Sequence, residues 1–250
     1  QFKVDELDVR VLADADSLAR AVAELARAHL ASVLARRGSA AVILATGNSQ
    51  IRFLDTLVQL GGVDWSRVTA FHMDEYLGLP GDHPASFRRY MRERIASRLN
   101  LRAFHYIEGD ALQPIDECER YARLLEAQPI DLCCLGIGEN GHLAFNDPPV
   151  ADFADKRLVK IVQLDLACRQ QQVGEGHFPS VDAVPAYAIT LTIPALCRAE
   201  RILCVAPEKR KARAVRDALR GPVSPACPAS ILRRQPHATL FLDGDSTSLL

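Results

Sequence analysis

The eighteen residues Asp131-Leu-Cys-Cys-Leu-Gly-Ile-Gly-Glu-Asn-Gly-His-Leu-Ala-Phe-Asn-Asp-Pro148 constrain this chain more than any other stretch. They begin as an apolar run of strand length, turn Gly-rich, and then deliver Glu139, Asn140, His142, Asn146 and Asp147 within nine residues. In an α/β sheet, ligands bind in the crevice beyond the carboxyl ends of the strands, so a buried strand that ends in a polar cluster marks a small-molecule site. Gly136-x-Gly138-x-x-Gly141 also matches the dinucleotide-binding pattern, which needs a long helix next and an acid about 20 residues on. Pro148 and Pro149 leave room for barely one helical turn, and Asp155 precedes the next strand instead of ending it. No nicotinamide, flavin or other cofactor is therefore expected.

The rest of the chain alternates between strand and helix patterns. Leu7 to Leu12 alternates as a strand, and Asp14 or Asp16 then caps an Ala- and Leu-rich helix that runs to about Arg37, where Gly38 stops it. Ala40 to Ala45 reads as a buried strand, followed by Thr46-Gly47-Asn48-Ser49 and an amphipathic helix from Ile51 to Leu60. A short Gly/Ser/Thr turn between strand and helix points free backbone N–H groups at an anion, although such residues can equally serve only as a helix cap. Val68 to Phe71 is the next strand, and it runs into His72-Met73-Asp74-Glu75-Tyr76. If the strands are parallel, Asp74 and Glu75 share a sheet edge with the Thr46 and Gly138 turns; otherwise they form a solvated acidic turn.

Pro84 is expected to start a helix reaching about Leu99, with Arg88, Arg89, Arg92 and Arg94 on a solvated face, and Pro114 to Ala127 forms another. Val159 to Leu164, Ala188 to Ile193, Arg201 to Ala206 and Ala238 to Asp243 read as strands. Between the first two, Cys168 to Phe178 is polar and Gly-containing and reads as a loop near the site. Pro207 opens a helix whose first turn carries Lys209, Arg210 and Lys211, a placement that opposes the helix dipole unless an anion binds there. Residues 221 to 229 are a Pro-, Ser- and Gly-containing connection. With no repeat or linker, the pattern predicts one doubly wound α/β domain over residues 1–250 with a mostly parallel central sheet.

Charge and cysteine content narrow the function. A net charge of −1 gives no basic footprint for nucleic acid, and no apolar run approaches the roughly 18 residues of a membrane span. The expected partner is a small molecule. Seven cysteines without a Cys-x-x-Cys pair suit free thiols in a reducing cytoplasm better than a metal site, and Cys133 and Cys134 point to opposite faces of their strand.

Two motifs carry a family resemblance: Phe71-His-Met-Asp-Glu-Tyr76 with His83-Pro84-x-Ser86 downstream, and Gly136-x-Gly-x-x-Gly-His-x-Ala-Phe-Asn146-Asp-Pro148. With the weaker Leu44-Ala-Thr-Gly47 turn, they make the chain resemble the glucosamine-6-phosphate deaminase/isomerase family, related to the 6-phosphogluconolactonases, from about Leu7 to Asp243. The lactonases share the Gly-x-Gly-x-x-Gly-His core but not the Met-Asp-Glu-Tyr form. The resemblance implies a Rossmann-like fold and conversion of glucosamine 6-phosphate and water to fructose 6-phosphate and ammonia, without a redox cofactor. It implies that Asp74 moves the C2 proton, that His142 opens the sugar ring, that Asp147, with Asn140 in the relay, supports His142, and that Lys211 binds phosphate. Thr46, Gly47, Asn48, Ser49, Glu75 and Gly138 complete the expected substrate site. Such chemistry needs two separately placed acid/base groups, and a carboxylate beside the histidine defines its tautomer.

The chain also departs from the family pattern. Asp147 stands where the family usually has Glu, Asn140 where some members have Asp, and Thr-Gly-Asn-Ser-Gln replaces the usual phosphate turn. The family's second phosphate Arg has no clean counterpart near Gly174-Glu-Gly-His-Phe178, with Arg169 as the substitute to be tested. The competing readings are a galactosamine 6-phosphate deaminase, a phosphosugar lactone hydrolase in which His142 activates water, and a non-catalytic sugar-phosphate sensor. The sequence is compatible with a homo-oligomer and does not specify one.

Overall fold

Side-chain alternation along the strands sorts the core onto two sides of one sheet. In the computed structural model, which describes residues 1–250, strand β3 (Ala40–Leu44) sends Ala41 and Ile43 into one apolar cluster and Ala40, Val42 and Leu44 into the other. Strand β7 (Leu132–Gly136) divides Cys133 and Leu135 from Leu132 and Cys134 in the same way, so the adjacent cysteines do face opposite sides. A sheet covered on both faces requires this continuous apolar character.

The remaining strands of this sheet are β1 (Phe2–Val4), β2 (Leu7–Leu12), β4 (Val68–His72), β6 (Ala103–His105), β10 (Arg201–Val205) and β11 (Ala238–Asp243). Their order is β1-β2-β11-β10-β7-β3-β4-β6, and every pairing is parallel except β1 with β2. From β3 the chain passes to β4 and β6 on one side, then returns to lay β7, β10 and β11 on the other. The crevice between β3 and β7 is thus the switch point of a doubly wound sheet, where ligands bind. The register Leu44↔His72, Leu44↔Cys134 and Val205↔Gly136 brings the carboxyl ends of β3, β4, β7 and β10 to one edge.

A second sheet was not legible in the sequence. Strands β5 (Asp74–Tyr76), β8 (Val159–Gln163) and β9 (Tyr187–Leu191) form a three-stranded antiparallel sheet in the order β5-β9-β8, so the two later runs do not join the parallel sheet. Only Met73 separates β4 from β5, and its carbonyl accepts from Leu191 N–H at 2.8 Å. The chain leaves one sheet and enters the other across a single residue, which places Asp74 at the junction.

Helices α1 (Ala15–Arg37), α2 (Ile51–Leu60) and α4 (Pro114–Glu126) fall where periodicity predicts. Asp14, not Asp16, is the first cap: its carboxylate accepts from Ser17 N–H at 2.7 Å, and Gly38 ends the helix with φ of 79°. The helix expected from Pro84 begins later, as α3 (Phe87–Met91) capped by Ser86, and continues as a π-helical turn over Arg92–Ala96. Arg88 is buried instead of solvated, paired with Glu75, Glu108 and Asp110.

The expected loop after Cys168 is largely helical, as α5 (Leu166–Gly174), because its run of Arg and Gln loses little rotamer freedom in a helix. A short α6 (Ile193–Cys197) follows β9. Beyond Pro207, a 3₁₀ turn over Lys209–Lys211 precedes α7 (Ala212–Arg220), which puts Lys211 at the cap position and not within the helix. No helix is long and apolar enough to cross a membrane.

Candidate active site

The turns at the shared strand edge enclose one cavity. Thr46, Gly47, Asn48 and Ser49 after β3, Asp74 on β5, Gly138 and His142 after β7, and Lys211 ahead of α7 all line it. Gly47 has φ of 99°, a conformation that L side chains rarely adopt, and its carbonyl accepts from Tyr90 Oη of α3 at 3.0 Å. The turn is therefore pinned to a helix on its other side. Gln50, fully buried, donates to Leu135 O at 3.3 Å and ties the same turn to β7.

His142 sits on the cavity wall because position 138 is glycine: a Cβ there would lie 2.2 Å from the imidazole. Its Nδ1 is 2.9 Å from Asp147 Oδ1. Asp147 is fully buried and also receives Asn140 Nδ2 at 2.9 Å and Asp165 N–H at 3.2 Å. Burial pushes the Asp147 carboxyl upward, but the hydrogen bond and charge of His142 and the bonds from Asn140 and Asp165 outweigh it, so its pKa is lowered and it stays ionised. Asn140 works at both ends, since its Oδ1 accepts from His142 N–H at 3.0 Å. Neither Asp147 nor Asn140 reaches the cavity; both hold His142 from behind.

Asp74 faces the cavity with 5% of its surface exposed. Its Oδ1 is buried without a hydrogen-bond partner. Burial first, and the neighbouring Glu75 second, raise its carboxyl pKa well above the ordinary value. A carboxylate so placed is a stronger base than one in water, as a proton-abstracting group must be.

Two expected substrate residues do not reach the cavity. Glu75 is fully buried and turned into α3, where its carboxylate accepts from Ser86 Oγ at 2.7 Å, Arg88 N–H at 2.9 Å and Phe87 N–H at 3.2 Å. It anchors that helix to the Asp74 strand. Arg169 donates to the carbonyls of Val181 at 2.6 Å and Val184 at 3.1 Å, so it secures the segment after α5 and does not replace the missing phosphate arginine. Asn146, part of the most specific motif, is likewise structural: its Nδ2 donates to Leu143 O at 2.9 Å and Leu191 O at 2.8 Å, fastening the loop to β9.

The cavity also includes Ser86, from the His83-Pro84-x-Ser86 motif, and Tyr90, Gln171, Gln172, Glu175 and His177, which no motif marks. The polarity of residues 168–178 was the signal, and it pointed to the right neighbourhood without choosing the side chains. Cys168 lies with His142 and Asp147 so that one ligating atom of each falls within 4.8 Å of the others. Burial and the nearby Asp147 and Asp74 push its thiol pKa well up, which favours the protonated thiol.

Comparison with known proteins shows which family the whole chain resembles. The sequence profile of a family described as glucosamine-6-phosphate isomerases/6-phosphogluconolactonase matches residues 13–241. A glucosamine-6-phosphate deaminase of Bacillus cytotoxicus is 32% identical over 243 residues, covering 97% of this chain and 89% of the relative. Among solved structures, a monomeric glucosamine-6-phosphate deaminase superposes with a TM-score of 0.88 at 29% identity, covering 97% of this chain and all of the other. The 6-phosphogluconolactonase of Thermotoga maritima shares the fold, with a TM-score of 0.77 at 23% identity over 95% of this chain and 99% of its own.

Proposed function

The chain belongs to the family of glucosamine-6-phosphate isomerases and 6-phosphogluconolactonases, and from that premise we propose that it converts glucosamine 6-phosphate and water to fructose 6-phosphate and ammonia. One observation carries the choice within the family. Asp74 and the Asp147-oriented His142 come from different strand ends and face the same cavity, which supplies two separately placed acid/base groups. Lactone hydrolysis needs a single group to activate water and leaves a buried carboxyl of raised pKa without work. The same carboxyl argues against a sensor, which gains nothing from the cost of burying it.

In the proposed reaction, His142 takes the proton of the C1 hydroxyl and returns it to the ring oxygen, opening the sugar to its aldehyde. Asp147 holds the imidazole in the tautomer that presents Nε2 to the substrate. Asp74 then removes the C2 proton and delivers it to C1, while one proton of the amine passes to O1, leaving an imine at C2 and a hydroxyl on C1. Water adds to that carbon and ammonia departs, so the products hold all the atoms of substrate and water. The Thr46–Ser49 turn and Lys211 receive the distal phosphate. The seven free thiols suit a reducing environment and support a cytoplasmic setting.

A coupled assay of ammonia and fructose 6-phosphate over glucosamine, galactosamine and unaminated sugar phosphates tests the proposal. Equimolar ammonia and ketose from glucosamine 6-phosphate is the expected result. Hydrolysis of a phosphosugar lactone without ammonia release from any amino sugar would replace it with the lactonase reading.

A further inference from the structure

The phosphate end of the cavity contains an acid. The Glu175 side chain is 5% exposed and lines the cavity with Lys211, which is 2% exposed, and His177. No arginine lines the cavity. Arg210, next to Lys211, is instead held by Glu175 Oε1 and Glu208 Oε2, both at 2.7 Å, and lies 3.7 Å from Glu139. Phosphate seats normally offer a guanidinium fork and an excess of positive charge. At this end of the cavity the one lysine is matched by the Glu175 carboxylate, with Asp74 the other acid on the wall.

The two oxygens of Glu175 are not equivalent. Oε1 already accepts from Gln171 Nε2 at 2.8 Å and Arg210 Nη1 at 2.7 Å. Oε2 has only His177 Nε2, at 3.4 Å, so it can accept a further hydrogen bond. The groups around the carboxylate are Gln171 on α5, His177 beyond it, Arg210 and Lys211 on the turn before α7, and Tyr90 on α3. Burial raises its pKa, but His177, Arg210, Lys211 and Gln171 together bring it down to about 2, so it is charged at neutral pH.

We propose that Glu175 sets the charge accepted at this end of the cavity, so that the phosphomonoester is bound as its singly protonated monoanion. The P–OH of the monoanion donates to Oε2 while the anionic oxygens face Lys211 and the Thr46–Ser49 turn. The dianion has no proton to donate and meets the carboxylate as a like charge. This rests on the amino-sugar-phosphate reading of the cavity.

A phosphomonoester loses its second proton near pH 6, so the bound species becomes about tenfold scarcer per pH unit above that. The probes are a non-reacting sugar-alcohol 6-phosphate and its 6-sulfate analogue, which keeps one charge at all working pH. Binding is read by calorimetry between pH 6 and 8.5. The phosphate's Kd should rise nearly tenfold per unit and the sulfate's should stay flat. Glu175→Gln should flatten the phosphate slope and tighten its Kd at pH 8 by about tenfold. A flat phosphate profile in the unaltered protein, a slope shared by the sulfate, or a slope that survives Glu175→Gln but disappears in His177→Gln would each overturn the proposal. Ammonia release is scored separately: its absence at every pH defeats the deaminase reading, whereas a failed slope with normal ammonia release defeats only the role of Glu175.

Discussion

His142 and Asp74 are placed by opposite physical means. The imidazole is held by polar contacts, with Asp147 on Nδ1 and Asn140 on its backbone N–H, whereas the Asp74 carboxyl is tuned by lack of contact, its Oδ1 buried without a partner. His142→Ala should lower kcat by at least about 100-fold, the usual loss for a positioned acid/base group. Near-normal turnover by a folded variant would reduce His142 to a packing residue. Asp74 acts as a base only when ionised, and burial with Glu75 beside it raises its pKa. Activity should therefore fall, as pH decreases, at a pH above the ordinary carboxylate range of about 4. A profile of kcat/KM against pH reads this limb, and Asp74→Asn should abolish turnover at every pH. An acidic limb at an ordinary carboxylate pH, or ammonia release by Asp74→Asn at a comparable rate, would remove Asp74 from the mechanism.

The elements that matter most are those that end at the cavity, since each ends in a device that fixes one group. After β7, the missing side chain at Gly138 makes room for the imidazole, and Gly138 N–H donates to His142 O at 3.0 Å. Gly138→Ala should thus cost nearly as much kcat as His142→Ala, because the new methyl group displaces the ring. Measurement of thermal unfolding alongside kinetics separates this from general damage: an unfolded variant, or a folded one with unchanged kcat, contradicts the steric account. Between β4 and β5, Tyr121 Oη of α4 accepts from His72 N–H at 3.1 Å and donates to His72 O at 2.8 Å. That clamp holds the strand end one residue before the sheets change over.

Beneath that junction, the whole molecule carries an acid-sensitive point. His72 is fully buried, accepts from Ile107 N–H at 2.8 Å, and has its pKa lowered to about 3 by burial and by Arg88. The unfolded chain takes up this proton near pH 6.5, whereas the folded protein refuses it until about pH 3. Stability from the neutral ring is complete above pH 6.5 and is lost as pH falls from there toward 3, by roughly 2 kcal/mol between pH 7 and pH 5. Urea unfolding at the two pH values should show that loss, and His72→Gln, which keeps an acceptor for Ile107, should reduce it. An equal loss in both proteins would assign the effect to other groups. Local chemistry in the sequence was enough for six strands of the parallel sheet, all but β1 and β6, for the helix stop at Gly38, and for the segments that bring Thr46, Asp74, His142 and Lys211 to the cavity, because strand period, capping and glycine placement act over a few neighbouring residues. It could not separate Asp74 from Glu75. Adjacent strand residues point to opposite faces, and only the pairing of β5 with β9 decides which of them meets the cavity and which is turned into α3. Nor could it choose Glu175 over Arg169, since the polarity that suggested a loop becomes the two sides of a helix and its exit only when α5 packs. Those choices depend on contacts between segments distant in the chain, and burial, which sets the charge and basicity of each group, exists only after those segments meet.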